Sequence, residues 1–176
     1  MTKAALFAPI AILFGLAAAP TTHAMSGAGI DAGFGVESSI GTRVNARWNW
    51  DKRWSLGSKW IASGYWEGSL GYTQSNDSGH PNVWDVGFKP VFRLRSGVSQ
   101  YFFDVGIGAH YLSNDKFASR ELGSKVLFGD LFGVGKNFGE QDRYELGYRF
   151  LHFSNADLAE PNHGINLHLI SLGYNY

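Results

Sequence analysis

The sequence predicts an all-β protein, an eight-stranded antiparallel transmembrane β-barrel, on three observations. Apolar and polar residues alternate with a period of two through most of the chain. Aromatic residues make up 15% of the sequence and lie mostly on the apolar side of this alternation, as the aromatic girdles of a membrane barrel require. The chain ends on Tyr176, with Ile170, Leu172 and Tyr174 on the same strand face. This C-terminal aromatic strand resembles the assembly signal of outer-membrane proteins.

The N-terminus predicts a secretory signal peptide over residues 1–24. Lys3 precedes an apolar run over residues 4–19, and Thr22, His23 and Ala24 follow it. A basic start, a short apolar core and a small-x-small end are typical of such a leader. A membrane anchor is the alternative, but the run is short for a span. Residues 25–176 are then a single barrel domain, and no apolar run in them approaches the roughly 20 residues of a transmembrane helix.

The composition argues against a nucleic-acid partner and excludes every site that needs cysteine. Lysine and arginine balance aspartate and glutamate, 15 against 15, so no electrostatic case exists for a nucleic-acid partner. The chain has no cysteine, which excludes disulfides and thiolate metal sites.

The alternation predicts eight strands, many of ten residues or more, as in the smallest outer-membrane barrels. They lie at about residues 30–37, 43–50, 60–73, 84–94, 100–110, 125–138, 143–154 and 165–176. The sixth is the least regular, because Asp130 falls among its apolar residues. A soluble lipocalin-like barrel or β-sandwich also alternates, but the leader and the terminal aromatic strand favour the membrane.

The other face of the strands predicts a polar interior. Charged side chains recur there at Arg43, Arg47, Arg93, Arg149, Glu67, Asp85 and Asp104. Small barrels are filled by side chains and are not pores. An even strand number places both termini in the periplasm and the longer loops, 75–81, 113–123 and 155–164, outside.

The alternation inverts at the outer end of the last hairpin. The apolar face of the seventh strand continues into His152 and Ser154, and that of the eighth begins with Asn166 and His168. Polar groups that face lipid are functional candidates. Strands that extend past the membrane offer another explanation, because polar residues there meet only water and headgroups.

The residue types at this inversion fit nucleophilic catalysis. Residues two apart on a strand share a face at about 6–7 Å, so the imidazole of His152 can reach the hydroxyl of Ser154. Serine needs a base to remove its proton, and histidine suits neutral pH. Asn155 can donate to an oxyanion, and Asn166 shares the face of His152 and can orient it.

The segment 151–156 (LHFSNA), followed by 161–164 (PNHG), resembles the lipid A 3-O-deacylase family PagL. Residues 48–52 (WNWDK), 64–66 (GYW) and 122–124 (LGS) also look like that family. The resemblance implies an outer-membrane barrel, active at the outer leaflet, that hydrolyses the ester-linked 3-hydroxyacyl chain at the 3-position of lipid A.

The resemblance also implies roles for single residues: Ser154 as the nucleophile, His152 as the general base and Asn155, with neighbouring loop amides, as the oxyanion donor. It implies no metal and no cofactor. The acid of the family's triad is a glutamate, and its position falls on Asn166. Either Asn166 orients His152 without a charge, which its strand position favours, or Glu160 or Asp157 folds back from the outer loop to supply a carboxylate.

Two other functions remain as alternatives. A structural or adhesive barrel would have long loops and no need for Ser154, but the outer loops are of modest length. An acyltransferase of the palmitoyl-transfer kind would have an amphipathic helix before the first strand, and no such pattern is present. The expected partner is lipopolysaccharide of the outer leaflet. The outward-facing surface of the barrel offers a place for a homodimer to form, but no residue pattern points to one.

Overall fold

Residues 24–76 and 79–176 are described by the structure, a computed structural model, and their main element is a closed antiparallel sheet of eight long strands. The predicted signal peptide lies outside the described residues except for Ala24. No helix of the described residues is long and apolar enough to cross a membrane. The strands are β1 Gly27–Gly35, β2 Ile40–Asn49, β3 Trp54–Leu56, β4 Trp60–Gln74, β5 Val83–Ser96, β6 Tyr101–Leu112, β7 Lys116–Phe117, β8 Arg120–Glu121, β9 Val126–Phe138, β10 Tyr144–Ser154 and β11 Ile165–Asn175.

The barrel closes because β1 pairs with both β2 and β11, and Ile30 lies opposite Val44 on one side and Leu172 on the other. The remaining neighbours run in chain order, with β3 adding a short hairpin to β4 and with β7–β8 forming a separate hairpin in the loop after β6. Closure leaves the eight long strands without a free sheet edge, so each of them finds backbone partners on both sides, which hydrocarbon demands of a spanning chain. All eight predicted strands are present.

The outward face of the sheet is apolar. Ile30 and Phe34 on β1 are 57% and 62% exposed, and Val86 and Ile170 on β5 and β11 are 59% and 57% exposed. Aromatic side chains pack against one another on the same face, as Trp66 does on Phe88 with ring centroids 5.3 Å apart. A surface with this much exposed apolar area fits a lipid environment and not water.

Charged side chains fill the lumen as ion pairs, as the alternation predicts. Arg43 binds Asp85 through both terminal nitrogens at 2.8 and 2.7 Å, and Arg149 binds Glu67 at 2.8 and 2.6 Å. Each charge is compensated, which a buried ion requires. The network also contains Asp31, Lys89, His110 and Glu145, which the seven predicted members did not include.

Three connections project from one end of the barrel: residues 75–76 with 79–82, residues 113–125 and residues 155–164. This end is called the loop end below. A small apolar cluster closes it, in which Phe117 and Leu122 from the 113–125 loop are fully buried together with Leu151 and Leu167 from the barrel. Ser119 from this loop donates through its N–H and its hydroxyl to Glu37, which lowers the pKa of that carboxyl. The loops are therefore packed on the barrel and on one another.

The lumen network predicts a large stability loss when Glu145 is removed. Its carboxylate accepts hydrogen bonds from Arg47 and Arg93, so Glu145→Ala leaves two buried guanidinium groups short of a partner. We expect the free energy of unfolding to fall by about 3 kcal/mol. The measurement is urea unfolding in lipid vesicles, followed by tryptophan fluorescence. The matched control is Glu140→Ala in the exposed turn after β9, and equal unfolding curves for the two variants would contradict the expectation.

Candidate active site on the lipid-facing side of the last hairpin

His152 and Asn166 lie directly opposite each other on β10 and β11, near the loop end of the barrel. Both side chains point away from the lumen, because their neighbours Leu151, Phe153 and Leu167 are buried inside. Ser154 is the last residue of β10 and shares the outward face of His152. The pairing that the strand parity predicts is thus present, and the polarity inversion is located on the outer surface of the barrel.

A short hydrogen bond fixes the imidazole. His152 Nδ1 lies 2.6 Å from Asn166 Oδ1. An amide oxygen can only accept, so Nδ1 carries the proton and the lone pair of Nε2 stays free. This is the tautomer that a general base needs, since the nitrogen away from the orienting group takes the proton.

His152 is also confined from the side of the loop that follows β10. Gly164 has a φ of +62°, and a Cβ built on it would lie 2.9 Å from His152 Cε1 and 3.5 Å from Nε2. Only glycine allows the loop backbone to pass this close to the ring. In the described parts of the chain, no hydrogen bond joins Ser154 to His152. Bonds of this kind are often long before substrate binds.

Asn155, the next residue, is 2% exposed and holds the loop together. Its amide nitrogen donates to the carbonyls of Leu122 at 2.8 Å and Ala159 at 2.7 Å, and its backbone N–H donates to Asn162 Oδ1 at 3.0 Å. All its N–H groups are therefore engaged within the loops. The predicted side-chain donation to an oxyanion requires one of these bonds to break.

The two residues after Asn155 have an unusual backbone. Ala156 and Asp157 have φ values of +53° and +59°, in the left-handed region that L-residues rarely adopt. In residues 24–76 and 79–176, neither of their N–H groups has a hydrogen-bond partner. Strained turns of this kind cluster at functional sites, and the two free donors lie two and three residues after Ser154.

Neither of the two carboxylates considered as the acid, Asp157 and Glu160, forms a hydrogen bond with the imidazole of His152 in the described residues. Asp157 Oδ1 accepts a hydrogen bond from Asn162 Nδ2 at 2.8 Å. Glu160 is exposed, and its side chain makes no hydrogen bond to any residue that the structure describes. The group bound to His152 Nδ1 is Asn166.

His168, the other polar residue of the inversion on β11, lies in an aromatic cluster next to Asn166. Its Nδ1 lies 2.6 Å from the Tyr148 hydroxyl, and its ring stacks on Phe34 and contacts Phe150. The cluster continues the outward face next to Asn166. No group of three or more His, Asp or Glu side chains in the described residues is arranged to hold a metal ion.

Comparisons with known proteins identify one family. A family model described as lipid A 3-O-deacylase (PagL) matches residues 38–175. The lipid A deacylase PagL of Bordetella bronchiseptica is 37% identical over 102 residues, 58% of this chain and 53% of that protein. The corresponding protein of Pseudomonas aeruginosa is 32% identical over 103 residues, 57% of this chain and 58% of that protein.

These matches span little more than half the length of either curated relative. A crystal structure of the outer-membrane enzyme PagL superposes with a TM-score of 0.78 at 27% identity, covering 86% of this chain and all of that one. The predicted fold class, an eight-stranded outer-membrane barrel, is confirmed by that likeness and by the closed sheet.

The close approach of Gly164 to His152 predicts a site-specific effect of one methyl group. Gly164→Ala places a Cβ against Cε1 of the ring in addition to the left-handed strain of about 1–2 kcal/mol, so the imidazole must shift from its position. The measurement is the ¹⁵N spectrum of the His152 ring in detergent micelles.

The matched control for this prediction is Gly57→Ala. Gly57 has a φ of +68°, and no atom lies within 4 Å of a Cβ built there, so this variant carries the backbone strain alone. We expect the His152 signals to shift in Gly164→Ala and to stay in place in Gly57→Ala. Unchanged signals in both variants would contradict the proximity argument.

Proposed function

The chain belongs to the lipid A 3-O-deacylase (PagL) family, and on that premise we propose that it hydrolyses the ester-linked 3-hydroxyacyl chain at the 3-position of lipid A in the outer membrane. The observation that carries the proposal is the outward-facing pair His152 and Ser154, with the imidazole bound to Asn166. A hydrolase for soluble substrates has no reason to expose its base and nucleophile toward lipid. Lipid A of the outer leaflet would meet this site by lateral diffusion.

The chemistry follows the general scheme of serine hydrolases. Ser154 Oγ attacks the ester carbonyl while His152 Nε2 takes the hydroxyl proton, forming a tetrahedral intermediate. The intermediate collapses with cleavage of the ester C–O bond, and the His152 imidazolium returns the proton to the departing sugar oxygen. Water, activated by His152, then attacks the acyl group on Ser154 and releases the 3-hydroxy acid. Asn166 holds the ring in the required tautomer throughout.

The oxyanion of the tetrahedral intermediate needs hydrogen-bond donors. We keep Asn155 as the residue assigned to this role, with a more specific contribution. Because its amide holds the carbonyls of Leu122 and Ala159, it fixes the turn in which Ala156 and Asp157 present their free N–H groups. Those loop amides are the donors that the arrangement supports best.

A barrel acting at the outer leaflet must have its loop end outside the cell, which agrees with the orientation expected from its strand number. The outward surface carries the site, so a homodimer formed through that same surface would cover it. The alternative is a structural or adhesive barrel, in which Ser154 has no role. The Ser154→Ala variant distinguishes this barrel from the enzyme.

The role of Ser154 as the nucleophile is tested by replacing it. Cells that express the chain should release one 3-hydroxyacyl group from lipid A, and Ser154→Ala should abolish this, because the variant lacks the oxygen on which the acyl-enzyme forms. The measurement is mass spectrometry of extracted lipid A. Ser171→Ala, a serine lower on β11, is the matched control and should behave like the parent.

If lipid A is unchanged in cells, the assay is repeated with purified barrel in detergent. No acyl release there by correctly folded protein would defeat the deacylase and favour the structural barrel.

The role of Asn166 is tested by changing its charge and by removing its side chain. An aspartate of the same shape can only accept a hydrogen bond and adds a negative charge, so Asn166→Asp should keep or raise kcat, and Asn166→Glu should behave in the same direction. Asn166→Ala removes the partner of Nδ1 and should lower kcat on the order of tenfold to a hundredfold. The measurement is the rate of acyl release from lipid A in detergent. Full activity of Asn166→Ala would remove Asn166 from the mechanism and leave Glu160 or Asp157 as the acid.

A further inference from the structure

Asp130 is a carboxylate on the lipid-facing side of the barrel, in the same cross-strand row as His152 and Asn166. In the register of the sheet, Asp130 on β9 lies directly opposite His152 on β10, and His152 lies opposite Asn166 on β11. On its other side Asp130 lies opposite Ile107, an exposed apolar residue of β6. The three polar side chains thus form a row, Asp130–His152–Asn166, with the imidazole in the middle.

The fold gives no reason for a carboxylate at this position. Asp130 is half-buried, and in residues 24–76 and 79–176 its side chain has no hydrogen bond and no ion pair. Its neighbour two residues along the same face, Phe132, is 49% exposed to the lipid side. An unpaired acid beside hydrocarbon is costly, and such residues mark function by default. In the sequence, the same residue is the irregularity of the sixth strand.

The outward faces of β10 and β11, on which His152 and Asn166 lie, carry no carboxylate. When His152 takes the serine proton it becomes an imidazolium, and Asn166 offers this cation an oxygen dipole but no charge. Directly opposite residues in an antiparallel pair have Cβ atoms about 4.5–5.5 Å apart. In the described residues no ion pair joins the Asp130 carboxylate to the imidazole, so the carboxylate acts on the cation from a longer distance, where exclusion of water by lipid and protein keeps the attraction appreciable.

We infer that Asp130 supplies the charge for the His152 imidazolium and that Asn166 supplies its orientation, so that two residues share what a single acid does in the family's triad. Asp130 is a positioning residue in this scheme, acting through His152 and not on the substrate. The inference rests on the proposed function, because it assigns a role within the same reaction.

The other ionisable groups around His152 are less suited to this role. On the outward face they are Tyr148 and His168, which bind each other, and neither is anionic. In the loop after β10 they are Asp157, which is bound to Asn162, the exposed Glu160, and His163, whose ring accepts from the backbone of Glu121. Asp130 is the carboxylate that the strand register brings opposite the ring.

The test compares the full-length parent with Asp130→Asn in detergent micelles containing lipid A. The asparagine keeps the shape and removes the charge, so we expect kcat to fall about tenfold or more with KM within about twofold. The acid limb of the kcat pH profile should move to lower pH by about half a unit, because loss of a neighbouring negative charge favours the unprotonated ring. Asp130→Glu, which keeps the charge, should retain most of the activity.

A second readout needs no lipid A: the rate at which a fluorophosphonate labels Ser154. It should slow in Asp130→Asn in step with kcat. Asn166→Asp in the Asp130→Asn background restores a carboxylate beside the ring and should recover both rates. The matched control is Asp115→Asn, a charge-neutralising change in the loop after β6, which should leave both rates unchanged.

The outcomes separate the two ideas. Parental kcat and labelling in Asp130→Asn, beside slow Asn166→Ala, would overturn the role of Asp130 and leave the proposed function standing. Ser154 labelling without acyl release would overturn the lipid A assignment, while the labelling rates still decide the role of Asp130. A parent protein that neither labels nor releases acyl chains would overturn both.

Discussion

The whole architecture depends on the alternation of side chains in a sheet that closes on itself. Closure gives the backbone of each of the eight long strands hydrogen-bond partners on both sides. Each side chain on these strands then points either into the lumen or toward lipid. Ionised groups that point inward must then find partners, and Arg149 does so with Asp31 and Glu67. Side chains that point outward must be apolar unless something other than the fold requires them. This constraint gives meaning to the few polar groups on the outer surface.

Those few groups gather where the last hairpin meets its loop. The strands hold His152 and Asn166 in register, while the buried side of the hairpin, through Leu151 and Phe153, is packed on the lumen residues and on the apolar cluster of the loop end. A site built on paired strands keeps its geometry better than one built on loops alone. The loop contributes what a strand cannot, a sharp turn at Ala156 and Asp157, whose N–H groups have no partner among the described residues and lie two and three residues after Ser154.

The arrangement around the imidazole separates two tasks that a triad acid performs together. A carboxylate orients the ring and also neutralises its positive charge, whereas an asparagine amide can do only the first and can in principle also donate. The 2.6 Å contact between Asn166 Oδ1 and His152 Nδ1 shows the orienting task in place. Compensation of the imidazolium charge must then come from another residue or be weak. The strand register places the carboxylate of Asp130 on the strand next to His152, directly opposite it.

Alternation along the sequence was sufficient to predict the number of strands, the lumen and lipid faces, and the exposure of His152, Ser154 and Asn166 on one side, because a strand repeats every two residues whatever surrounds it. It could not decide which residues lie side by side on different strands, since that depends on the stagger with which the sheet closes. The neighbourhood of Asp130 and His152 therefore appeared only in the tertiary structure. The same holds for Asn155, whose donors bind the carbonyls of Leu122 and Ala159. Leu122 lies in a loop distant in sequence, and only packing of the two loops brings its carbonyl within reach.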